Sequence, residues 1–195
     1  MHRLEWLLIG IIITLTIAAA GVAAMAIELV KSDPPTKALA TQSLPASQPR
    51  IVTLRAVGDI MLSRHVGTKM RQANDWTLPF GPLAALLSAA DISLGNLESP
   101  FFDQGSPVTA GTVFKAEPAA IAGLELAGVD VVNLANNHIM NQGLPGLEYT
   151  LSWLAQHGIA TIGAGETWTA AHTPAVVTIG DTRVAFLGYS YESFH

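Results

Sequence analysis

Val131-Val132-Asn133-Leu134-Ala135-Asn136-Asn137-His138 is the stretch on which the fold of this chain turns. Val131, Val132 and Leu134 are apolar, and two of them are β-branched, which suits a strand covered on both faces. Asn136, Asn137 and His138 arrive where that strand should end. Two carboxamides and an imidazole offer hydrogen-bond donors and acceptors but little apolar surface to bury. In an open α/β sheet, ligands bind just beyond the carboxyl ends of the strands. A plain turn is the competing explanation, because Asn accepts left-handed backbone and a His beside it can be incidental. Two earlier stretches bear on that choice.

The first is Ile51 to Val57, which reads as a strand followed at once by Gly58-Asp59. Glycine before aspartate at a strand end lets the chain turn and aims a carboxylate out of the sheet. The second is Asp91 to Leu94, a strand that runs into Gly95-Asn96-Leu97-Glu98. If that strand continues, Asn96 and Glu98 point the same way. Helices fit between these segments. Arg64 to Ala73 reads as a short helix carrying His65, which lies near Asp59 in sequence and either joins a site or is a solvated helix residue. Leu83 to Ala89 follows Gly81-Pro82, with proline in the first turn. A short strand is expected over Thr112 to Lys115. A helix opens at Glu117-Pro118 and runs to about Ala127, closed by Gly128.

Beyond the opening stretch, Gly143 to His157 carries Leu144, Leu147, Leu151 and Leu154 at helical spacing. These leucines read as core. His157 at the helix end needs no further role, since a partial positive charge is favourable there. Ile159 to Ile162 is another strand. Val176 to Ile179 and Arg183 to Gly188 read as a hairpin around Gly180-Asp181. Neither a dinucleotide fingerprint nor a Walker pattern is present.

Strands alternating with helices predict an α/β fold with a parallel sheet under helical cover. Right-handed crossovers place successive strand ends on one edge of the sheet. Asp59, Asn96, Glu98, Asn137 and His138 are then expected to converge. Oxygen donors beside an imidazole suit a divalent ion such as Mn, Zn, Fe or Mg. Such an ion polarises a phosphoryl oxygen or activates water.

Composition narrows the setting. The 195 residues suffice for one domain with a real core. A net charge of −5, with no basic run, argues against nucleic acid as a partner. No cysteine is present, which excludes disulfides and thiolate metal sites. No charged side chain occurs from Trp6 to Ile27. That stretch is long enough to cross a bilayer core of about 30 Å as a helix. Residues 1–30 therefore read as an N-terminal transmembrane anchor. Ala24-Met25-Ala26, a small-x-small pattern, keeps open a cleaved signal sequence. Residues 31–50 are rich in Pro, Ser, Thr, Ala and Gln, and read as a flexible linker. Residues 51–195 form the folded domain. A cell-membrane, single-pass protein with its domain extracytoplasmic is the expectation, because only a stub precedes the span.

Several blocks in order carry a resemblance. AVGDIMLSR, FGPLAALLSAADISLGNLESPF, FKAEPAAIAGLELAGVDVVNLANNH and GLEYTLSWLAQHGIATIGAG, followed by VAFLGYS, resemble the CapA family of capsule-synthesis proteins. That family is related to the calcineurin-like metallophosphoesterases and is linked to poly-γ-glutamate capsules. The likeness runs from about Val52 to Tyr189. It implies a layered metallophosphoesterase-like sandwich, outward facing and anchored. Residue by residue, it places Asp59 in a first metal-binding motif, Asn96 and Glu98 in a second, and Asn137 and His138 in a third. There Asn137 is a ligand and His138 acts near the leaving group. Met61 stands where phosphoesterases have His, and Asn96 where an Asp bridges two metals. Asn141 stands where the family commonly has Asp.

Family members continue beyond the FLGYS strand with further His-containing motifs. A domain incomplete at its C-terminus, with an exposed sheet edge, is therefore expected. His172 and His195 fall in no ligand motif and read as incidental. Three functional readings follow from the resemblance. The first is a membrane-anchored component of poly-γ-glutamate or related envelope polymer synthesis and export, partnered by capsule-synthase membrane subunits and the anionic polymer. The second is a metal-dependent phosphoesterase-like hydrolase. The third is an inactive fragment.

Overall fold

Residues 51–191 are described by the structure, a computed structural model. The anchor and linker expected over residues 1–50 lie outside the described residues, as does His195. Among the described residues, no helix is long and apolar enough to cross a membrane.

The chain alternates strand and helix from the start. Strand β1 (Leu54–Ile60) leads to α1 (Arg64–Ala73) and α2 (Gly81–Ser88), then β2 (Ile92–Leu97). A 3₁₀ turn (Pro118–Ala120) runs into α3 (Ile121–Leu126), followed by β3 (Val131–Asn133). Helix α4 (Gly143–Gln156) precedes β4 (Ala160–Ile162). A short helix, α5 (Trp168–Ala171), then leads to the hairpin β5 (Ala175–Ile179) and β6 (Thr182–Phe186). Strands β1 to β4 form one parallel sheet in sequence order, and β5 and β6 pair antiparallel. A mixed α/β fold with a parallel sheet is thus what the molecule adopts.

Alternation along the strands sorts the apolar residues onto two faces. Val132 packs with Met70, Leu87, Leu124 and Leu154, one from each of α1 to α4. Its neighbour Val131 packs on the opposite side with Ile92, Ile162 and Phe186, against the hairpin. Both valines are fully buried, as expected for a strand covered on both faces. In α4, Leu147 and Leu154 are buried and Leu151 packs against the core, whereas Leu144 is 53% exposed. The expected core stripe is therefore correct except at its first member. Each fully buried aliphatic side chain contributes about 1.5–3 kcal/mol relative to exposure. Gly180 at φ +59 makes the turn of the hairpin, a backbone conformation that most residues avoid.

Four details differ from the expectation. Strand β1 starts at Leu54 and continues through Gly58 and Asp59, with a register irregularity between Ala56 and Asp59. Continued pairing with β2 keeps the ladder going where a turn was expected. Thr112 to Lys115 is not a strand, and only a single bridge joins Phe101 to Ala116. Side chains take the backbone donors there: Phe114 N–H goes to Asn141 Oδ1 and Lys115 N–H to Ser63 Oγ. The helix expected from Glu117 opens as a 3₁₀ turn. Helix α5 was not anticipated, since four residues leave no periodic signature; Thr167 Oγ1 caps it by accepting from Ala170 N–H.

Candidate functional site

Parallel register sets the site. Asp59 on β1 lies opposite Asn96 on β2, and Asn96 lies opposite Asn133 on β3. Three polar residues therefore stand abreast near the carboxyl ends of three neighbouring strands, where open α/β sheets bind ligands. Glu98 follows just past β2, and the turn from Asn136 to His138 just past β3.

The amide orientations follow from backbone partners. Asn133 Oδ1 accepts from Ala135 N–H at 3.2 Å, and its Nδ2 donates to Ala135 C=O at 3.3 Å. Asn136 Nδ2 donates to Leu97 C=O at 2.9 Å, and its Oδ1 accepts from His138 N–H at 3.0 Å. A backbone N–H only donates and a carbonyl only accepts, so both side chains are oriented. Their NH₂ groups then both point at Asn96, at 2.9 Å from Asn133 and 3.1 Å from Asn136. The atom they meet is therefore Asn96 Oδ1. The Asn96 NH₂ is left facing the carboxylates, donating to Asp59 Oδ1 at 2.8 Å and Glu98 Oε2 at 2.5 Å.

His138 closes the far side. Its Nε2 lies 3.5 Å from Glu98 Oε1, and both side chains are largely covered, at 15% and 12% exposure. Its Nδ1 lies 3.0 Å from Asn141 Oδ1. Phe114 stacks on the imidazole at 3.8 Å between centroids, and the Arg64 guanidinium lies 5.0 Å from the Phe114 centroid. Arg64 also donates to Gly111 C=O at 3.0 Å and holds a left-handed backbone at φ 50.

Of the residues expected to converge, Asp59, Asn96, Glu98 and His138 form one connected chain of contacts. Asn137 is exposed, and its side chain makes no hydrogen bond among the described residues; Asn136 is the one turned inward. His65 is exposed on α1 and also stands apart from this chain of contacts. Asn133 and Phe114 belong to the site without having been expected there, and Asn136, read as part of the polar turn, takes the inward place expected of Asn137. Asn133 carried a readable signal, since Val131 and Asn133 share a face and that face leads to Asn96.

His172 packs on Trp168 at 3.9 Å and lies 5.6 Å from Tyr189. These rings border a cleft of about 380 Å³ that Asn136 also lines. A second cleft, of about 300 Å³, is lined by Asn96, Asn133 and Tyr189. Gly188 lies between them, and a Cβ there would run into Asn133 Oδ1. The FLGYS segment therefore walls the polar rim.

The resemblance implies a divalent ion at this donor set. Oxygen and imidazole groups are present, but the Asn96 NH₂ already donates a hydrogen bond to each carboxylate. An ion bridging Asp59 and Glu98 would compete with that amide. Among the described residues, no group of three His, Asp or Glu side chains is placed to hold an ion. The arrangement as it stands does not fit a bridging metal.

Residues 53–195 match the family described as bacterial capsule synthesis protein PGA_cap. The chain is 34% identical over 136 residues to a probable polyglutamine synthesis accessory protein of Mycobacterium tuberculosis, covering 68% of this chain and 36% of that protein. It is 28% identical over 144 residues to the capsule biosynthesis protein CapA of Bacillus anthracis, covering 71% and 34%. It is 26% identical over 151 residues to the PGA biosynthesis protein CapA of Bacillus subtilis, covering 72% and 40%. The chain spans well under half the length of these relatives. With a match covering most of its length, this chain belongs to the CapA-type family of bacterial capsule synthesis proteins.

Proposed function

We propose that this chain acts in the synthesis or export of an anionic envelope polymer, poly-γ-glutamate or a related one, by binding and organising rather than by hydrolysis. In this reading residues 1–30 anchor it in the membrane as a single span, and the folded domain, a metallophosphoesterase-like sandwich, lies outside the cytoplasm. Capsule-synthase membrane subunits are its partners. The supporting observation is Asn96, whose NH₂ joins Asp59 to Glu98 at 2.8 and 2.5 Å. The amide gives one oxygen of each carboxylate a hydrogen bond, so Asp59 and Glu98 are held together without ion chemistry.

The hydrolase reading retains one favourable observation, the approach of His138 Nε2 to Glu98 Oε1 at 3.5 Å. It requires a divalent ion (Mn, Zn, Fe or Mg) to displace the Asn96 amide from the carboxylates. One experiment separates the two. The full chain in detergent micelles is titrated with poly-γ-glutamate by calorimetry, with and without chelator, and assayed with p-nitrophenyl phosphate plus manganese. Polymer binding that survives chelation, with no phosphatase turnover, is expected. Manganese-dependent turnover that disappears in Glu98→Ala and His138→Ala would replace the binding reading with the hydrolase one.

A further inference from the structure

We propose that Asn141 is a positioning residue that holds His138 as its Nδ1–H tautomer, leaving Nε2 as an acceptor beside Glu98. The inference stands apart from the choice of polymer or reaction, because it concerns only which ring nitrogen carries the proton.

The argument starts at a backbone donor. Phe114 N–H lies 2.6 Å from one terminal atom of the Asn141 amide. A backbone N–H only donates, so that atom is the oxygen. The same Oδ1 lies 3.0 Å from His138 Nδ1. An amide oxygen is satisfied by that nitrogen only when Nδ1 carries a hydrogen. Asn141 Oδ1 thus receives two N–H groups, one from Phe114 and one from the imidazole.

The ring has little freedom to escape this. Phe114 stacks on it at 3.8 Å with 27° between planes. The His138 backbone N–H is held by Asn136 Oδ1 at 3.0 Å. Asn136 is itself buried and tied to Leu97 C=O. The Phe114 backbone is held from both sides, since its C=O accepts from Gln142 Nε2 at 2.8 Å. The element that sets the tautomer is therefore part of the packed framework.

The consequence is chemical. A neutral imidazole protonated on Nδ1 presents a lone pair at Nε2. That lone pair faces Glu98 Oε1 at 3.5 Å, and an ionised carboxylate has only lone pairs to offer. Two acceptors so placed are joined by one hydrogen. A ligand N–H or O–H supplies it, as does a proton on the ring. The opposite tautomer would donate to Glu98 directly and close that edge of the rim. Asn141 thereby makes the His138–Glu98 edge a receiver of donor groups, such as an amide N–H or a hydroxyl.

The test reads the nitrogens themselves. The full chain is labelled with ¹⁵N-histidine, placed in detergent micelles and followed by long-range proton–nitrogen correlation. His138 is assigned by the signals lost in His138→Gln. Spectra are compared at the alkaline end, where they stop changing. The expected pattern is a protonated Nδ1 and a downfield, unprotonated Nε2. Asn141→Ala should move the ring toward the Nε2–H form, and Asn141→Asp, which keeps an acceptor oxygen, should restore Nδ1–H. An Nε2–H ring in the unmodified chain, or one protonated on both nitrogens at the alkaline end, overturns the assignment. So does an unchanged tautomer in a folded Asn141→Ala. Should that variant not fold, the spectrum of the unmodified chain decides alone.

Discussion

Asn133 and Asn96 lie side by side on neighbouring parallel strands, and the Asn133 NH₂ donates to Asn96 Oδ1 at 2.9 Å. Together with the bond from Asn136 Nδ2 to the same oxygen, it decides which end of Asn96 meets the carboxylates. It makes the site a set of hydrogen bonds that begins in the backbone and ends at two anionic side chains.

Replacing Asn96 by Asp tests this directly. The new carboxylate would lie against Asp59 and Glu98, with repulsion in place of two hydrogen bonds. Stability at neutral pH should fall by about 2 kcal/mol, and by less in acid, where carboxylates take up protons. Urea unfolding of the full chain in micelles at both pH values measures it. Manganese should recover part of the loss in Asn96→Asp and change the unmodified chain little. Equal stability of the two chains at neutral pH would remove Asn96 from its central place.

Lys115 offers a second test, away from the rim. It is only 5% exposed, and its Nζ donates to Gln104 C=O at 2.6 Å and Gly105 C=O at 2.9 Å. Lys115→Met keeps much of the apolar stem but leaves both carbonyls without that donor. A loss of about 2 kcal/mol is expected, with faster protease cleavage near Gln104. Mass spectrometry of early fragments locates the cut. Unchanged cleavage kinetics would show that the lysine does not hold this loop.

Leu124 on α3 is fully buried against the sheet. Leu124→Ala should cost about 3 kcal/mol, through lost burial and the cavity left behind. A shift in the urea midpoint at constant slope is the expected signature. A loss below about 1 kcal/mol would mean that this layer is loosely packed.

Asp75 gives a pH prediction. The Thr77 hydroxyl, first, and the Thr77 backbone N–H hold its carboxyl below the ordinary value, against a small opposing effect of burial. Both donate to Asp75 Oδ1, at 2.6 and 2.8 Å. A carboxylate with a depressed folded-state pKa stabilises the fold above its unfolded-state pKa. That stabilisation disappears as pH falls through the folded-state value. Thr77→Val removes the larger contribution, so the Asp75 titration should move up toward the ordinary carboxylate range. Carboxyl NMR follows it, and an unmoved midpoint would deny the hydroxyl its part.

Much of the framework was legible beforehand because local rules agree with one another there. Helix α1 spans Arg64–Ala73 as expected, ending on Asn74 in left-handed backbone at φ 50. Helix α4 and the hairpin turn were equally readable, from leucine spacing and from Gly180-Asp181. Non-local pairing was not readable. Nothing local says that β1 continues through Gly58-Asp59, because the reason is its register with β2. Nothing local says that Thr112 to Lys115 gives its amide hydrogens to Asn141 and Ser63 instead of to a strand.

The amino-acid order alone determined most of the strands and helices, and that polar side chains cluster where the strands end. Hydrophobic period and turn chemistry act over a few residues, so the sequence carries them. Only the tertiary structure decided that Asn136 turns inward and Asn137 outward. The Leu97 carbonyl, on the neighbouring strand, accepts from Asn136 and so selects between two identical side chains. A choice between chemically equal neighbours is made by a partner distant in sequence and close in space.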